Sequence, residues 1–164
     1  NRRLVSLFTF QQVSAVSAHG TERGLLRAAA DGGEDGGVQV GAVEWITDLA
    51  VRSVTPVVSS LAETGGEGPA REIPIARAAA ELADALASPV RVVVFTEESG
   101  YGVRENESWL ESAPVTKVDA ESARPVYPLV EALLGEGVRP LVTSPRGLAA
   151  EGGVRGTVIE PAAS

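Results

Sequence analysis

The sequence predicts an α/β fold, a three-layer sandwich in which a mainly parallel, Rossmann-like sheet is flanked by helices. Residues 90–95 form a nearly continuous run of β-branched and aromatic side chains, which is typical of a strand covered by helices on both faces. Residues 75–87, directly before this run, place apolar side chains at helical spacing and are followed by Ser88-Pro89, where a helix is expected to stop. Segments of these two kinds alternate along most of the chain, as in parallel sheets with right-handed crossovers.

The N-terminal part of the chain predicts a strand followed by a helix. Residues 4–10 are rich in leucine, valine and phenylalanine and predict the first strand. This strand either continues or turns back as a hairpin into residues 13–16. Thr21 is expected to cap a helix that runs through Ala30 and ends at Gly32.

The next segment leaves two interpretations open. Residues 38–46 predict a second strand, ended by Thr47 and Asp48 as the cap of a following helix. Residues 49–61 then place apolar side chains at helical spacing, but a proline inside this segment removes a backbone donor and must kink or split the helix. A strand over residues 51–58 is the alternative.

Two glycine-rich segments, residues 31–37 and 64–69, are predicted to be flexible surface loops. The first has carboxylates between glycines, as calcium-binding loops do, but Gly33 and Ala42 stand where an EF-hand needs an oxygen ligand and a bidentate glutamate. The chain has no cysteine and one histidine, His19, which excludes thiolate zinc sites and multi-histidine metal centres. No metal site is predicted.

The C-terminal part alternates helices and strands again. Asn106 is expected to cap a short helix that contains Trp109, and residues 115–118 are expected to form a short strand. A longer helix over residues 125–134 has its apolar side chains on one face and Gly135 past its end. The remaining predicted elements are a strand over residues 138–143, a helical turn over residues 145–150 and a final strand over residues 154–159.

Composition limits the domain organisation and the partners. The 164 residues, 44% hydrophobic and 22% charged, fit a single domain, residues 1–164, with a substantial core. No apolar run approaches the roughly 20 residues that span a bilayer, so we expect a cytoplasmic protein without a membrane partner. A formal net charge of −8 disfavours binding to phosphate backbones, so no nucleic-acid partner is expected. Abundant arginine, alanine, glycine and valine, beside a single lysine, indicate a high-GC bacterial genome.

The ends of the predicted strands are the expected ligand site. In open parallel sheets, ligands bind beyond the carboxyl ends of the strands, where loops converge and helix N-termini present unpaired N–H groups. His19 is the candidate catalytic residue, because its side chain changes charge near neutral pH. Each loop taken alone is also explained by helix capping. The candidate ligand-binding residues are Thr47, Asp48, Thr96, Glu97, Ser99, Thr143, Ser144 and Arg146.

Other sequence motifs are incomplete. Residues 100–102 (Gly-Tyr-Gly) follow the central strand as dinucleotide-binding loops do, but Glu105 stands at the third small position of that motif. Lys117 lacks the glycine-rich lead of a Walker motif, and no Gly-x-Ser-x-Gly elbow is present. Arg146 has the forked donors that bind carboxylate or phosphate. The sequence identifies no cofactor.

Two functional hypotheses remain. The first is a small α/β domain that binds a small anionic metabolite at the carboxyl ends of its strands, as an enzyme, an enzyme subunit or a binding protein. The alternative is a non-catalytic, degenerate Rossmann-like module that docks to a larger assembly, since a nucleophile motif, a Walker lysine and a metal cluster are missing from the sequence. The expected partner is a small-molecule ligand or another protein domain, and a homo-oligomer is compatible with both.

Overall fold

The computed structural model describes residues 2–28, 37–65, 68–86, 90–96, 103–105, 108–117, 126–148, 150–151 and 154–162. The chain divides into two compact units, residues 1–88 and residues 89–164, and each is described by itself. Both units are mixed α/β structures in which strand pairs run parallel and helices flank the strands. The predicted α/β class is therefore confirmed. The single domain remains a prediction.

The described residues of the first unit form two sheets. Its elements are α1 (Arg2–Phe10), β1 (Ala15–His19), a 3₁₀ turn (Glu22–Gly24), β2 (Leu26–Ala28), β3 (Val38–Val40), α2 (Glu44–Val51), β4 (Thr55–Ser59), β5 (Leu61–Thr64), β6 (Arg71–Glu72) and α3 (Ile75–Ala85). β1 and β4 are parallel, with Ala15 opposite Thr55 and His19 opposite Ser59. The other sheet has the order β3-β2-β5-β6, in which β2 and β5 are parallel and the two outer strands are antiparallel to their neighbours.

The core of the first unit lies at the sheet that contains β2. Leu25 and Leu26 are fully buried there, and burying each leucine contributes roughly 1.5–3 kcal/mol. Partly buried side chains from α2 and α3, including Trp45, Ile46 and Leu82, pack against this core. The other buried members are Val38, Ala62, Ile73 and Ala78.

The predicted first strand, residues 4–10, is wrong. These residues form α1, and the chain enters a strand only at Ala15, so the predicted hairpin with residues 13–16 is also wrong. Leu4, Leu7 and Phe8 have the i, i+3, i+4 spacing of one helix face, but the high content of apolar residues hid this period.

The predicted helix after Thr21 is also wrong. A 3₁₀ turn, Glu22–Gly24, leads directly into β2. Arg23 and Gly24 both have positive φ values, 56° and 63°, and a right-handed helix cannot continue through two such residues.

The second predicted strand, residues 38–46, is too long. β3 ends at Val40 and α2 begins at Glu44. Thr47 and Asp48 therefore lie inside α2, and their predicted role as its cap is wrong.

The predicted helix over residues 49–61 is wrong as well. α2 stops at Val51 and β4 follows. The alternative prediction, a strand over residues 51–58, therefore agrees better with the structure. The β-branched residues of this stretch favour a strand, and Pro56, which cannot donate a ladder hydrogen bond, fits β4 because β4 pairs with one neighbour, β1, among the described strands.

The second unit has a four-stranded mixed sheet. Its elements are β7 (Val93–Phe95), β8 (Arg104–Glu105), β9 (Ser108–Trp109), β10 (Ser112–Pro114), a 3₁₀ turn (Val115–Lys117), α4 (Tyr127–Gly135), β11 (Leu141–Thr143), α5 (Pro145–Leu148) and β12 (Thr157–Glu160). The strand order is β10-β12-β11-β7, with β10 parallel to β12, β7 parallel to β11, and β11 antiparallel to β12. β8 and β9 form a separate antiparallel pair.

Several predicted elements are confirmed. The central strand predicted over residues 90–95 is seen as the shorter β7, and the helix before it, predicted over residues 75–87, is seen as α3. The strand is not covered on both faces as expected, because Phe95 is 48% exposed. The helix over residues 125–134 is seen as α4. The strands and the turn that were predicted between residues 138 and 159 correspond to β11, α5 and β12, with bounds that differ by a few residues.

Three predictions in the second unit are corrected. Trp109 lies in β9 and not in a helix, while Asn106 lies outside the described residues. Residues 115–117 form a 3₁₀ turn, and the strand precedes them as β10. Gly135 is the last residue of α4, and the left-handed turn after this helix falls at Gly137.

Two further predictions concern the glycine-rich loops and membrane-spanning helices. Of the predicted flexible loops, residues 31–36 and 66–67 lie outside the described residues. No helix within the described ranges is both long enough and apolar enough to cross a membrane.

Candidate functional site

A pocket in the first unit is the candidate site. It has a volume of about 420 Å³, within the range of small-molecule sites. It lies between β1, the 3₁₀ turn that follows β1, and one face of α2. The described residues that line it are Val16, Ser17, Ala18, Glu22, Arg23, Trp45, Asp48, Leu49 and Arg52.

The turn after β1 is fixed by close backbone approaches. The Leu26 N–H donates to the Gly20 carbonyl oxygen at 2.6 Å, and the Gly41 N–H donates to the Leu25 carbonyl oxygen at 2.9 Å. A Cβ atom on Gly41 would lie 2.1 Å from the Gly24 carbonyl oxygen, so only glycine allows the two segments to approach this closely. These contacts hold Glu22 and Arg23 at the mouth of the pocket.

Arg23 is held in an unusual conformation. Its φ of 56° and ψ of 22° are left-handed, a region that is unfavourable for residues with a side chain. Its guanidinium carbon lies 5.8 Å from the centre of the Trp45 ring, a cation–π contact worth about 0.5–1 kcal/mol at an exposed site. A strained residue beside a pocket is a reason to suspect function.

α2 presents one helical face to the pocket. Trp45, Asp48, Leu49 and Arg52 follow the i, i+3, i+4, i+7 pattern. The Trp45 indole nitrogen is buried and has no hydrogen-bond partner among the described residues. An unpaired buried donor costs roughly 1–3 kcal/mol, so the ring is held there by packing and by Arg23.

His19 lies at the carboxyl end of β1, next to this site. Its backbone N–H donates to Glu22 Oε1 at 3.0 Å, and its Nδ1 lies 3.4 Å from Ser59 Oγ. The histidine is exposed. Glu22 thus links the predicted catalytic residue to the pocket lining.

The structure places the other predicted residues of the first unit on α2. Asp48 lines the pocket, as described above. The exposed Thr47 has its Oγ1 3.5 Å from the Val43 carbonyl oxygen of its own helix, to which it donates. Residues 47 and 48 are therefore not a strand end, and Asp48 reaches the pocket from a helix face.

In the second unit, two of the predicted strand ends are neighbours. The Thr96 N–H donates to the Thr143 carbonyl oxygen at 2.8 Å, because β7 and β11 are parallel. The Thr96, Thr143 and Ser144 side chains are buried. Two of them are hydrogen-bonded within the protein, since Thr143 Oγ1 donates to the Arg155 carbonyl oxygen and Ser144 Oγ accepts the Gly147 N–H at 3.2 Å.

The remaining predicted site residues are Arg146, Glu97 and Ser99. Arg146 is exposed on α5. Glu97 and Ser99, together with the glycine pair at 100–102, lie outside the described residues. No group of three or more metal-ligating side chains occurs in the part of the chain that the structure describes.

Sequence reasoning missed Glu22, Arg23 and Arg52 as pocket residues, whereas Trp45 was one of the few aromatic residues available to line a site. Two signals could have found them. The Glu-Arg-Gly tripeptide follows a short apolar strand, which favours a turn rather than a helix. The helical spacing from Trp45 to Arg52 places both side chains on one face once α2 is assigned correctly.

Comparisons with known proteins address the fold. A scan against protein-family models found no match, and a search of the curated proteins found none. Among solved structures, the chain is similar to smu.665 from Streptococcus mutans UA159, with a TM-score of 0.59 and 21% identity over 96% of this chain and 65% of that chain. The likeness shows the fold.

Two other solved structures are named as enzymes. Isopentenyl phosphate kinase has a TM-score of 0.59 and 18% identity over 97% of this chain and 64% of that chain. N-acetylglutamate synthase from Neisseria gonorrhoeae, complexed with coenzyme A and N-acetyl-glutamate, has a TM-score of 0.62 and 18% identity over 99% of this chain and 41% of that chain. The present chain thus spans less than two thirds of each of these three proteins.

Proposed function

We propose that this domain binds a small metabolite with an anionic group in the pocket beside the carboxyl end of β1. The observation that carries the proposal is Arg23, which lines the pocket with its guanidinium over the ring of Trp45, another lining residue. Arg52, the residue directly after α2, supplies a second guanidinium to the same lining. Guanidinium groups bind carboxylates and phosphates through paired, charge-assisted hydrogen bonds.

The structural neighbours support an anionic ligand as a class. N-acetylglutamate synthase was crystallised with coenzyme A and N-acetyl-glutamate, both of which carry negative charge, and isopentenyl phosphate kinase is named for a phosphate. Fold likeness does not carry a substrate across, so the ligand identity is left to experiment. The cytoplasmic location and the bacterial origin expected from the sequence also stay predictions.

Thermal-shift screening tests the proposal. Phosphates, nucleotides and carboxylates would be added to the wild-type chain and to Arg23→Ala and Arg52→Ala. We expect at least one anion to raise the melting temperature of the wild type and each variant to lose about tenfold in affinity, because a hydrogen bond to a charged group is lost. Arg91→Ala is the matched control, since Arg91 is an exposed arginine outside the pocket. Unchanged melting temperatures with every anion would remove the proposal.

A catalytic role in this site would fall to His19. Its backbone N–H donates to Glu22, a lining residue, and its imidazole Nδ1 lies 3.4 Å from Ser59 Oγ. His19→Ala separates binding from catalysis. Loss of turnover with retained ligand binding would assign it a catalytic role, whereas unchanged turnover would leave the pocket as a binding site alone. The strand-end residues Thr96, Thr143, Ser144 and Arg146 stay candidates for ligand binding in the second unit.

A non-catalytic docking module is the second candidate function, and the exposed apolar side chains of α1 favour it. Phe10 is 81% exposed, Leu7 55% and Leu4 50%, on a helix that has no buried residue. Large exposed apolar surfaces mark interaction sites. Light scattering of the wild type and of Phe10→Ser distinguishes the two functions, because an oligomer that dissociates in the variant, without any ligand response, indicates docking.

A further inference from the structure

The charges in the pocket lining are balanced. Among the described lining residues, Arg23 and Arg52 are opposed by Glu22 and Asp48. A site for a purely anionic ligand would gain from an excess of positive charge, since like charges in a partly desolvated pocket repel. The balance therefore carries information about the ligand beyond its anionic group.

The two carboxylates are not equivalent. Glu22 Oε1 already accepts the His19 backbone N–H, which holds this side chain at the turn. The Asp48 side chain has no hydrogen bond or ion pair with any residue in the described ranges. It stands on the pocket face of α2, one helical turn before Arg52 and three residues after Trp45. Asp48 is thus the carboxylate that is available to a ligand.

We propose that the pocket takes a small zwitterion, with its carboxylate or phosphate on Arg23 and Arg52 and its amine on Asp48. The inference rests on the proposed function, because it assigns a second charged group to the same ligand. Each end of such a molecule meets the opposite charge in the lining. A simple anion of the same size would satisfy the two arginines but would leave the Asp48 carboxylate facing a ligand with no positive group.

Matched small molecules test the inference. Wild type and Asp48→Asn would be titrated at millimolar concentrations with γ-aminobutyrate, butyrate and butylamine, which share a carbon chain and differ in their charged ends. Phosphoethanolamine and ethyl phosphate form the corresponding phosphate pair. Binding is followed through the indole N–H resonance of Trp45, assigned by its loss in Trp45→Phe. Asp48→Asn keeps the side-chain shape and changes an exposed position, so the fold is retained.

The expected result is that one zwitterion binds the wild type more tightly than its matched anion and amine, by up to about fivefold, the largest effect usual for an exposed ion pair. In Asp48→Asn the zwitterion and the anion should bind equally. Glu44→Gln, which changes an exposed carboxylate of α2 outside the lining, should behave as the wild type. If the anion binds as well as the zwitterion, and Asp48→Asn changes neither, this inference is overturned while the proposed function stands. If none of these molecules moves the resonance, this inference is overturned, and the thermal-shift screen with the wider set of anions decides the proposed function separately.

Discussion

Gly20 is buried directly after β1, and the surrounding atoms leave no room for a side chain. A Cβ atom there would lie 2.2 Å from the Leu61 carbonyl oxygen and 2.8 Å from the Ser59 carbonyl oxygen. Both obstacles are backbone atoms, so they cannot move aside as a flexible side chain would. The crossing of the chain from β1 to β2 past β5 therefore depends on this glycine.

We predict that Gly20→Ala destabilises the protein by roughly 1–3 kcal/mol, the usual effect of overpacking. Urea unfolding followed by circular dichroism measures the change. Gly135→Ala is the matched control, because a Cβ atom at Gly135, the last residue of α4, meets nothing within 4 Å. That substitution should stabilise the protein by about 0.5–1 kcal/mol through helix propensity. Equal effects of the two substitutions would contradict the packing explanation.

Thr157 is a buried hydroxyl that joins distant parts of the second unit. Its Oγ1 accepts the Val103 N–H at 2.8 Å and donates to the Leu110 carbonyl oxygen at 2.6 Å. The residue is fully buried at the start of β12. It therefore provides hydrogen-bond partners for the Val103 N–H and the Leu110 carbonyl oxygen, which have no such partners in the β8–β9 pair.

We expect Thr157→Val to cost about 1–3 kcal/mol, because the shape is kept while the Val103 N–H is left buried without an acceptor. Amide hydrogen exchange would show the loss locally, as faster exchange at Val103. Thr9→Val is the control, since its exposed hydroxyl bonds only to the Val5 carbonyl oxygen within α1. That surface change should stay within about 0.5 kcal/mol. If Thr157→Val leaves the free energy of unfolding unchanged, the buried hydrogen bonds of Thr157 do not stabilise the protein.

Three helices end in the same way. At the ends of α1, α2 and α4, two backbone N–H groups turn back to the carbonyl oxygens of the last helical turn, as in a Schellman motif. The residue that must adopt a left-handed conformation is Gln12 after α1, Ser53 after α2 and Gly137 after α4, with φ values of 59°, 57° and 78°. Only α4 uses the residue type that this position favours.

Ser53→Gly should therefore stabilise the protein by roughly 0.5–1 kcal/mol, because glycine adopts this conformation without steric strain. Ser53→Ala is the control and should give no gain. The reverse change, Gly137→Ala, should cost about 1 kcal/mol, and it reports the backbone alone because a Cβ atom there contacts nothing within 4 Å. The melting temperatures of the three variants measure these changes in stability. A Ser53→Gly variant less stable than the wild type would contradict the explanation that residue 53 is strained in its left-handed conformation.

At the scale of the whole molecule, charge restricts the partners. The chain has 14 lysine and arginine residues against 22 aspartate and glutamate residues. Binding to nucleic acid depends on counterions released by clustered positive charges. We predict no detectable complex with duplex DNA at physiological salt in a mobility-shift assay. A retarded band whose affinity falls steeply as salt is raised would show that a local basic surface outweighs the net charge.

The candidate site illustrates how far local patterns reach. The strand-end hypothesis named Asp48 and His19, and both lie at or beside the pocket. It did not name Arg23, because the segment after Thr21 was interpreted as a helix. Arg52 was missed for a related reason, since the start of the helix was placed after Asp48, which separated Arg52 from Trp45. Errors in the assignment of short elements thus became errors in the set of site residues.

The sequence by itself determined the α/β class, the helices α3 and α4, the strand β7 and the acidic charge. These properties depend on composition or on periodicity within a dozen residues. Tertiary structure alone decided that residues 4–10 are a helix and that Ala15 pairs with Thr55. It also decided that a turn after β1 faces one side of α2. Such pairings join residues far apart in the chain, and the energy that selects them comes from burial and backbone hydrogen bonds that exist only after the segments meet.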